Sequence, residues 1–92
     1  MNIDITSRGF TPSSELIELI NTKVEKLSKF DKNISDIKVV LKKESRAEKI
    51  ELIVESKRNT YVSKRYSSAF EKTLVMSIDN IKSQIKKNKS NY

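Results

Sequence analysis

Two periods of apolar residues run through this chain. The longest helical period lies at the C-terminal end, where Phe70, Leu74, Ile78, Ile81 and Ile85 follow one another at spacings of four, four, three and four. Those steps hold five large apolar side chains on one side of a helix over about 67–89, with Ser67-Ser68 as its cap. A second helical period, Leu16, Ile17, Ile20, Val24 and Leu27, runs to about Phe30 behind Thr11-Pro12, which reads as N-cap and first helical residue. Glu15 and Glu18 in its early turns and Lys23, Lys26 and Lys29 in its later ones suit the helix dipole.

Period two marks the strands. Asn2-Ile3-Asp4-Ile5-Thr6 alternates strictly, with Ile3 and Ile5 inward, and Arg8-Gly9-Phe10 breaks it. Ile37, Val39 and Leu41 form the apolar face of a second strand, and Ile50, Leu52 and Val54 that of a third, across a charged turn through Lys43-Glu44-Ser45-Arg46. Outward Lys38 and Lys42 against outward Glu51 and Glu55 predict opposite-charge pairs on the wet face of that hairpin. Lys57-Arg58-Asn59 turns into a fourth strand over Thr60 to Tyr66, with Tyr61, Ser63 and Arg65 on one side and Val62, Lys64 and Tyr66 on the other.

The order is therefore β-α-β-β-β-α. A helix joining the first two strands makes them parallel, and the later strands form an antiparallel meander. The predicted fold is α+β in two layers, a four-stranded mixed sheet with two parallel helices packed on one face.

Composition removes most enzyme classes. Without cysteine or histidine there is no thiol chemistry, no disulfide and none of the commonest general base, and a single glycine leaves no Gly-rich phosphate loop. Two carboxylates on the third strand, Glu51 and Glu55, read as partners of lysines rather than as an acid–base pair. No catalytic residue, metal site or cofactor is expected. With no run of eighteen apolar residues and no signal-peptide pattern, the chain reads as cytoplasmic.

The net charge of +7 is unevenly distributed. Residues 1–56 hold ten Lys or Arg and ten Asp or Glu, whereas residues 57–92 hold nine against two. A one-sided basic field attracts phosphate backbones and releases their counterions, although lysine-rich surfaces also serve solubility. Lys82, Lys86 and Lys89 form a stripe beside the apolar one on the last helix, with Lys87 on another flank. Tyr61, Tyr66 and Tyr92 are the side chains available for stacking on bases, a role that competes with ordinary packing on a strand.

Four segments together resemble the ribosome hibernation-promoting factors, also called ribosome-associated inhibitors or sigma-54 modulation proteins. They are Ile3-x-Ile5-Thr6, the run Lys23-Val24-Glu25-Lys26-Leu27-Ser28-Lys29-Phe30, Val39-Val40-Leu41, and the closing Asp79-Asn80-Ile81-Lys82-Ser83-Gln84-Ile85-Lys86-Lys87-Asn88-Lys89. The resemblance spans the whole chain. It implies a single ribosome-binding domain over 1–92, without the C-terminal dimerisation domain of long members. It also implies a monomer that binds the small ribosomal subunit in the mRNA and tRNA channel and inhibits translation by steric occlusion. Its partners are the rRNA and neighbouring ribosomal proteins, with no membrane and no small-molecule substrate. The rRNA-binding residues implied are Lys23, Lys26, Lys29, Lys82, Lys86, Lys87 and Lys89. Asn80 and Ser83 stand where the family usually carries basic residues, which shifts the patch toward Lys82 and Lys86. The other readings are a double-stranded-RNA-binding module, which typically runs α-β-β-β-α, and a protein-interaction module acting on a sigma factor.

Overall fold

A computed structural model describes residues 1–89. Strands β1 (Asn2–Arg8), β2 (Ile34–Glu44), β3 (Ala47–Ser56) and β4 (Thr60–Ser67) form one sheet in the order β1-β2-β3-β4. β1 and β2 are parallel, and the other neighbours are antiparallel. Helix α1 (Ser14–Glu25), continued by a 3-10 turn over Lys26–Lys29, crosses from β1 to β2, and α2 (Phe70–Lys89) follows β4. The α+β architecture and the element order are those expected from the sequence. Because both helices follow strands of the same direction, they run parallel and end together. That shared end, the lower end below, also holds Asn2, Ile34, Ser56 and Thr60; Arg8, Glu44, Ala47 and Ser67 lie at the upper end.

One face of the sheet carries the core. Ile37, Val39, Leu41, Ile50, Leu52, Val54 and Tyr61 pack against Leu16, Ile20, Val24 and Leu27 of the first helical segment and against the full α2 stripe. Ile81 is 0% exposed and Ile78 7%, whereas Val75, on the opposite side of α2, is 53% exposed. Ile34 and Ile37 are both buried although three residues apart, because the β2–β3 register shifts between Ile34 and Asp36. Thr73 and Ser77 occupy the α2 stripe one turn apart and are fully buried. Ser77 satisfies its hydroxyl on the Thr73 carbonyl at 2.9 Å, and Thr73 donates to the Glu48 carbonyl at 2.8 Å.

Helix boundaries differ from expectation at three points. Ser13, not Thr11, caps α1: its extended backbone places Oγ 3.1 Å from the Leu16 N–H. Residues before it carry the chain from the sheet edge onto the core, so that Phe10 stacks on Phe70 with ring centroids 5.1 Å apart. The backbone bend that starts this path sits at Gly9, whose φ of 85° favours glycine. At the far end, the α-helix gives way after Glu25 to the 3-10 turn. Finally, α2 begins at Phe70, and its first N–H donates to the Glu48 carboxylate of β3 at 2.8 Å rather than to a serine. Ser67 instead accepts from the Ala69 N–H at 3.3 Å and lies 2.6 Å from Thr73 Oγ1.

The hairpin charges also differ. Lys38 faces Ile53, Val40 faces Glu51 and Lys42 faces Lys49, so the expected Lys38 and Lys42 pairing with Glu51 and Glu55 does not form among the described residues. Glu51 pairs with Lys64 of β4 at 3.8 Å instead. The two-residue turn Ser45-Arg46 sets this register, two positions away from the one that would oppose the charges.

Two stability measurements follow. In urea unfolding, Ile81→Ala costs about 2–5 kcal/mol, whereas Val75→Ala on the exposed side stays within about 0.5 kcal/mol. Glu48→Ala costs about 1–2 kcal/mol by freeing the first N–H of α2 and removing a carboxylate from the positive end of the helix; an unchanged midpoint would show that water replaces the cap without loss.

Candidate nucleic-acid interface

The lower end gathers cations from two helical segments that are far apart in sequence. Phe30, just past the 3-10 turn, is the meeting point. The Lys82 ammonium lies 5.0 Å from its ring centroid, and the Lys89 ammonium donates to its carbonyl. Both contacts follow from the shared direction of the helices, which brings the last turns of α2 beside Lys26–Lys29. The two lysines thus hold the helices together while keeping their charge at the surface.

Of the seven lysines expected in the site, Lys23, Lys26, Lys29, Lys86, Lys87 and Lys89 are exposed and Lys82 is half-buried. Lys82 and Lys89 meet Phe30, Lys26 and Lys29 lie on the 3-10 turn that leads into it, and Lys86 follows Lys82 by one turn on the same stripe. Lys23 lies further up α1. Lys87 stands on the other flank, beside Tyr61, Gln84 and Asn88 over the β4 edge. That flank is tied to the sheet: Gln84 donates to the Val62 carbonyl at 2.9 Å and to Asn80 Oδ1 at 2.8 Å. Asn80 therefore orients a side chain that holds α2 on β4, a role that a lysine could not fill in the same way.

Two further cations were not singled out from the sequence. Lys57 and Arg58 form the β3–β4 turn, which reaches the same lower end; the Lys57 N–H donates to the Asn33 carbonyl at 3.1 Å. Together with Asp31, Asn88 and Lys89 they border a polar cleft of about 320 Å³. The signal was available in the topology, because a turn between an antiparallel β3 and β4 must lie beside the C-terminal ends of both helices. Asp31 is the buried acid of this region and is engaged in a local turn, accepting from the Asn33 N–H at 2.9 Å. Helix C-termini carry partial negative charge, which lets this many lysines share one end.

The tyrosines separate into different roles. Tyr61 is 6% exposed, packs in the core and has its hydroxyl 3.3 Å from Asn88 Nδ2, so it does not offer a face for stacking. Tyr66 is 67% exposed on the other side of the sheet. Tyr92 lies outside the described residues. Among the described residues no group of acidic side chains is placed to hold a metal ion, and no helix is long and apolar enough to cross a membrane.

The fold is a small two-layer α+β domain whose two helices run parallel and carry exposed lysines at their shared end. The chain is a member of the family described as Sigma 54 modulation protein / S30EA ribosomal protein, whose model matches residues 3–92. That family consists of ribosome-associated proteins without enzymatic activity, in agreement with the non-enzyme read from composition. Among solved structures, a ribosomal subunit interface protein from Coxiella burnetii superimposes with a TM-score of 0.91 at 22% identity, covering 98% of this chain and 99% of that one. The N-terminal domain of Thermus thermophilus Protein Y superimposes with a TM-score of 0.85 at 17% identity, covering 95% and 98%. No curated protein sequence matches the chain.

The contact at Phe30 gives a local prediction. Lys82→Met, which keeps an unbranched apolar stem of similar length but removes the charge over the ring, lowers unfolding free energy by about 0.5–1 kcal/mol, measured against Lys86→Met as the control on the same stripe.

Proposed function

We propose that this protein binds the small ribosomal subunit, laying the lower end of its helical layer on rRNA in the channel used by mRNA and tRNA, and that it inhibits translation by occupying that space. The observation that carries the reading is that Lys82 and Lys89 of α2 meet Phe30 beside the 3-10 turn that carries Lys26 and Lys29, so lysines of both helical segments share one end, in a chain whose family is ribosome-associated. The ribosomal subunit interface protein of similar fold points the same way.

The mechanism needs no chemical step. Folded rRNA presents A-form grooves and looped strands that are read by shape and by phosphate and 2′-hydroxyl contacts. Lysine ammonium groups are compact point charges, well suited to backbone contacts that carry no sequence information. Release of condensed counterions supplies the affinity. With extents of 43 × 22 × 16 Å, the domain is an elongated plug, and a packed core beneath the lysines keeps their array rigid. Occlusion follows from volume: where the plug sits, mRNA and tRNA cannot.

The test is co-sedimentation with isolated small subunits, large subunits and whole ribosomes across a salt series, with translation in vitro run alongside. Salt-sensitive, near-stoichiometric binding to the small subunit is expected, falling at least about tenfold between 50 and 200 mM salt. A Lys26→Glu, Lys29→Glu, Lys86→Glu triple variant keeps its circular dichroism, because all three side chains are exposed, although reversing charge at the helix C-termini lowers its unfolding midpoint modestly. It loses small-subunit binding and no longer inhibits translation. Normal binding by that variant would move the contact to another surface; absence of the unmodified protein from every ribosomal fraction at low salt would turn the search to a protein partner.

A further inference from the structure

The face of the sheet turned away from the helices carries a second pattern, set by register alone. Paired positions line up across all four strands, so Arg8 of β1 stands beside Lys42 of β2, Lys42 beside Lys49 of β3, and Lys49 beside Tyr66 of β4. At strand spacing this row is roughly 14 Å long. Like charges placed directly opposite one another destabilise a sheet, and here three cations occupy consecutive positions. The row ends in the most exposed large apolar side chain among the described residues, Tyr66 at 67%.

Below the row lies an open groove of about 350 Å³ whose walls include Val40, Lys42, Lys49, Lys64 and Tyr66. The acid in its wall, Glu51, pairs with Lys64 at 3.8 Å, and Glu44, at the end of β2 above the row, pairs with Lys49 at 3.2 Å. Exposed pairs of this kind are worth little, so a phosphate can take over either lysine at small cost. The acids Asp36 and Glu55 sit at the opposite, lower end of the face, three rows away. A cationic row ending in an aromatic side chain, with no acid in the row itself, combines what an unpaired nucleic-acid strand requires: charge for successive phosphates and a flat face for one base. An acidic peptide would use the cations but not the exposed ring.

We infer that this open face is a second RNA-binding surface, on which an unpaired stretch of ribosomal RNA places phosphates along Arg8, Lys42 and Lys49 and stacks one base on Tyr66. The inference rests on the proposed ribosomal role for the source of the strand. The sheet face and the helical layer are opposite faces of one two-layer domain, so a strand on the sheet face leaves the helical layer free for a separate contact.

Fluorescence anisotropy with a labelled ten-nucleotide single-stranded RNA of mixed sequence tests the site without ribosomes. Tyr66→Ala is expected to weaken binding about fivefold or more while Tyr66→Phe retains it, because stacking needs the ring and not the hydroxyl. Lys42→Gln with Lys49→Gln is expected to weaken binding and to reduce the salt slope by about 1.4, the value for two phosphates on a single strand. All of these positions face solvent, and circular dichroism verifies that the variants fold. Unchanged affinity in Tyr66→Ala, or loss of oligonucleotide binding in the Lys26→Glu, Lys29→Glu, Lys86→Glu variant alone, would overturn the inference. The same variants are then sedimented with small subunits stripped of mRNA. Weaker binding by Tyr66→Ala supports rRNA as the strand, and a defect seen only when mRNA is present would overturn that assignment. If the unmodified protein binds the oligonucleotide through Tyr66 but no ribosomal fraction, the ribosomal role fails while the site itself stands.

Discussion

Burial of one stripe of α2 against one face of the sheet is the constraint on which the rest depends. Phe70, Leu74, Ile78, Ile81 and Ile85 are nearly dry, and between them Thr73 and Ser77 present side chains small enough to fit beneath the helix and able to satisfy their own hydroxyls on nearby carbonyls. Removing that much apolar surface from water fixes the rotation of the helix about its axis. Once rotation is fixed, every lysine of α2 is forced off the sheet, and Lys82, Lys86 and Lys89 fall on the side toward the first helix. The basic surface is thus a consequence of the core, with its geometry inherited from the apolar spacing.

The same lysines answer two demands. At a helix C-terminus they face unsatisfied carbonyls and a partial negative charge, a favourable setting worth a few tenths of a kcal/mol to about 1 kcal/mol each. Two parallel helices ending together double that negative pole and make room for a cluster that would otherwise repel itself. Lys82 and Lys89 use part of their capacity on Phe30, whereas Lys26, Lys29 and Lys86 have exposed side chains suited to an external anion. Dipole compensation accounts for basic residues in the last turns. It does not account for Lys57 and Arg58, which belong to a strand turn and still reach the same end.

Element type and order were legible because they depend on period, and period survives local irregularity. Partners were not. The alternation of Ile37, Val39 and Leu41 against Ile50, Leu52 and Val54 fixes which face is buried, but a slip of two residues preserves every face while exchanging every neighbour. Opposite charges on Lys38, Lys42, Glu51 and Glu55 favour one register; the short Ser45-Arg46 turn imposes another, and Lys42 ends beside Lys49. The α2 cap was hidden for a similar reason, since Glu48 lies 22 residues from the N–H it accepts. Long-range satisfaction of a helix end leaves no local signature. Of the site, the lysine stripe on α2 could be read from spacing; the meeting of Lys82 and Lys89 with Phe30, beside the turn that carries Lys26 and Lys29, required knowing that the helices are parallel.

Register also decides how charge is distributed over the two sides of the molecule. On the open face Arg8, Lys42 and Lys49 line the upper end, with Glu44 paired to Lys49, and Asp36 and Glu55 lie at the lower, whereas the helical layer concentrates its lysines at the lower end. The two basic regions are therefore diagonal, on opposite faces and at opposite ends. A single patch would let a thin domain pivot on an RNA surface, since phosphate contacts position a protein only along the area they cover. Two patches set diagonally across a body 43 Å long define one orientation between two walls and oppose rotation about either contact. In the proposed role, filling space, that orientation counts for more than sequence recognition. The register that places Lys42 against Lys49 gives up a little sheet stability and is what sets these cations in one row.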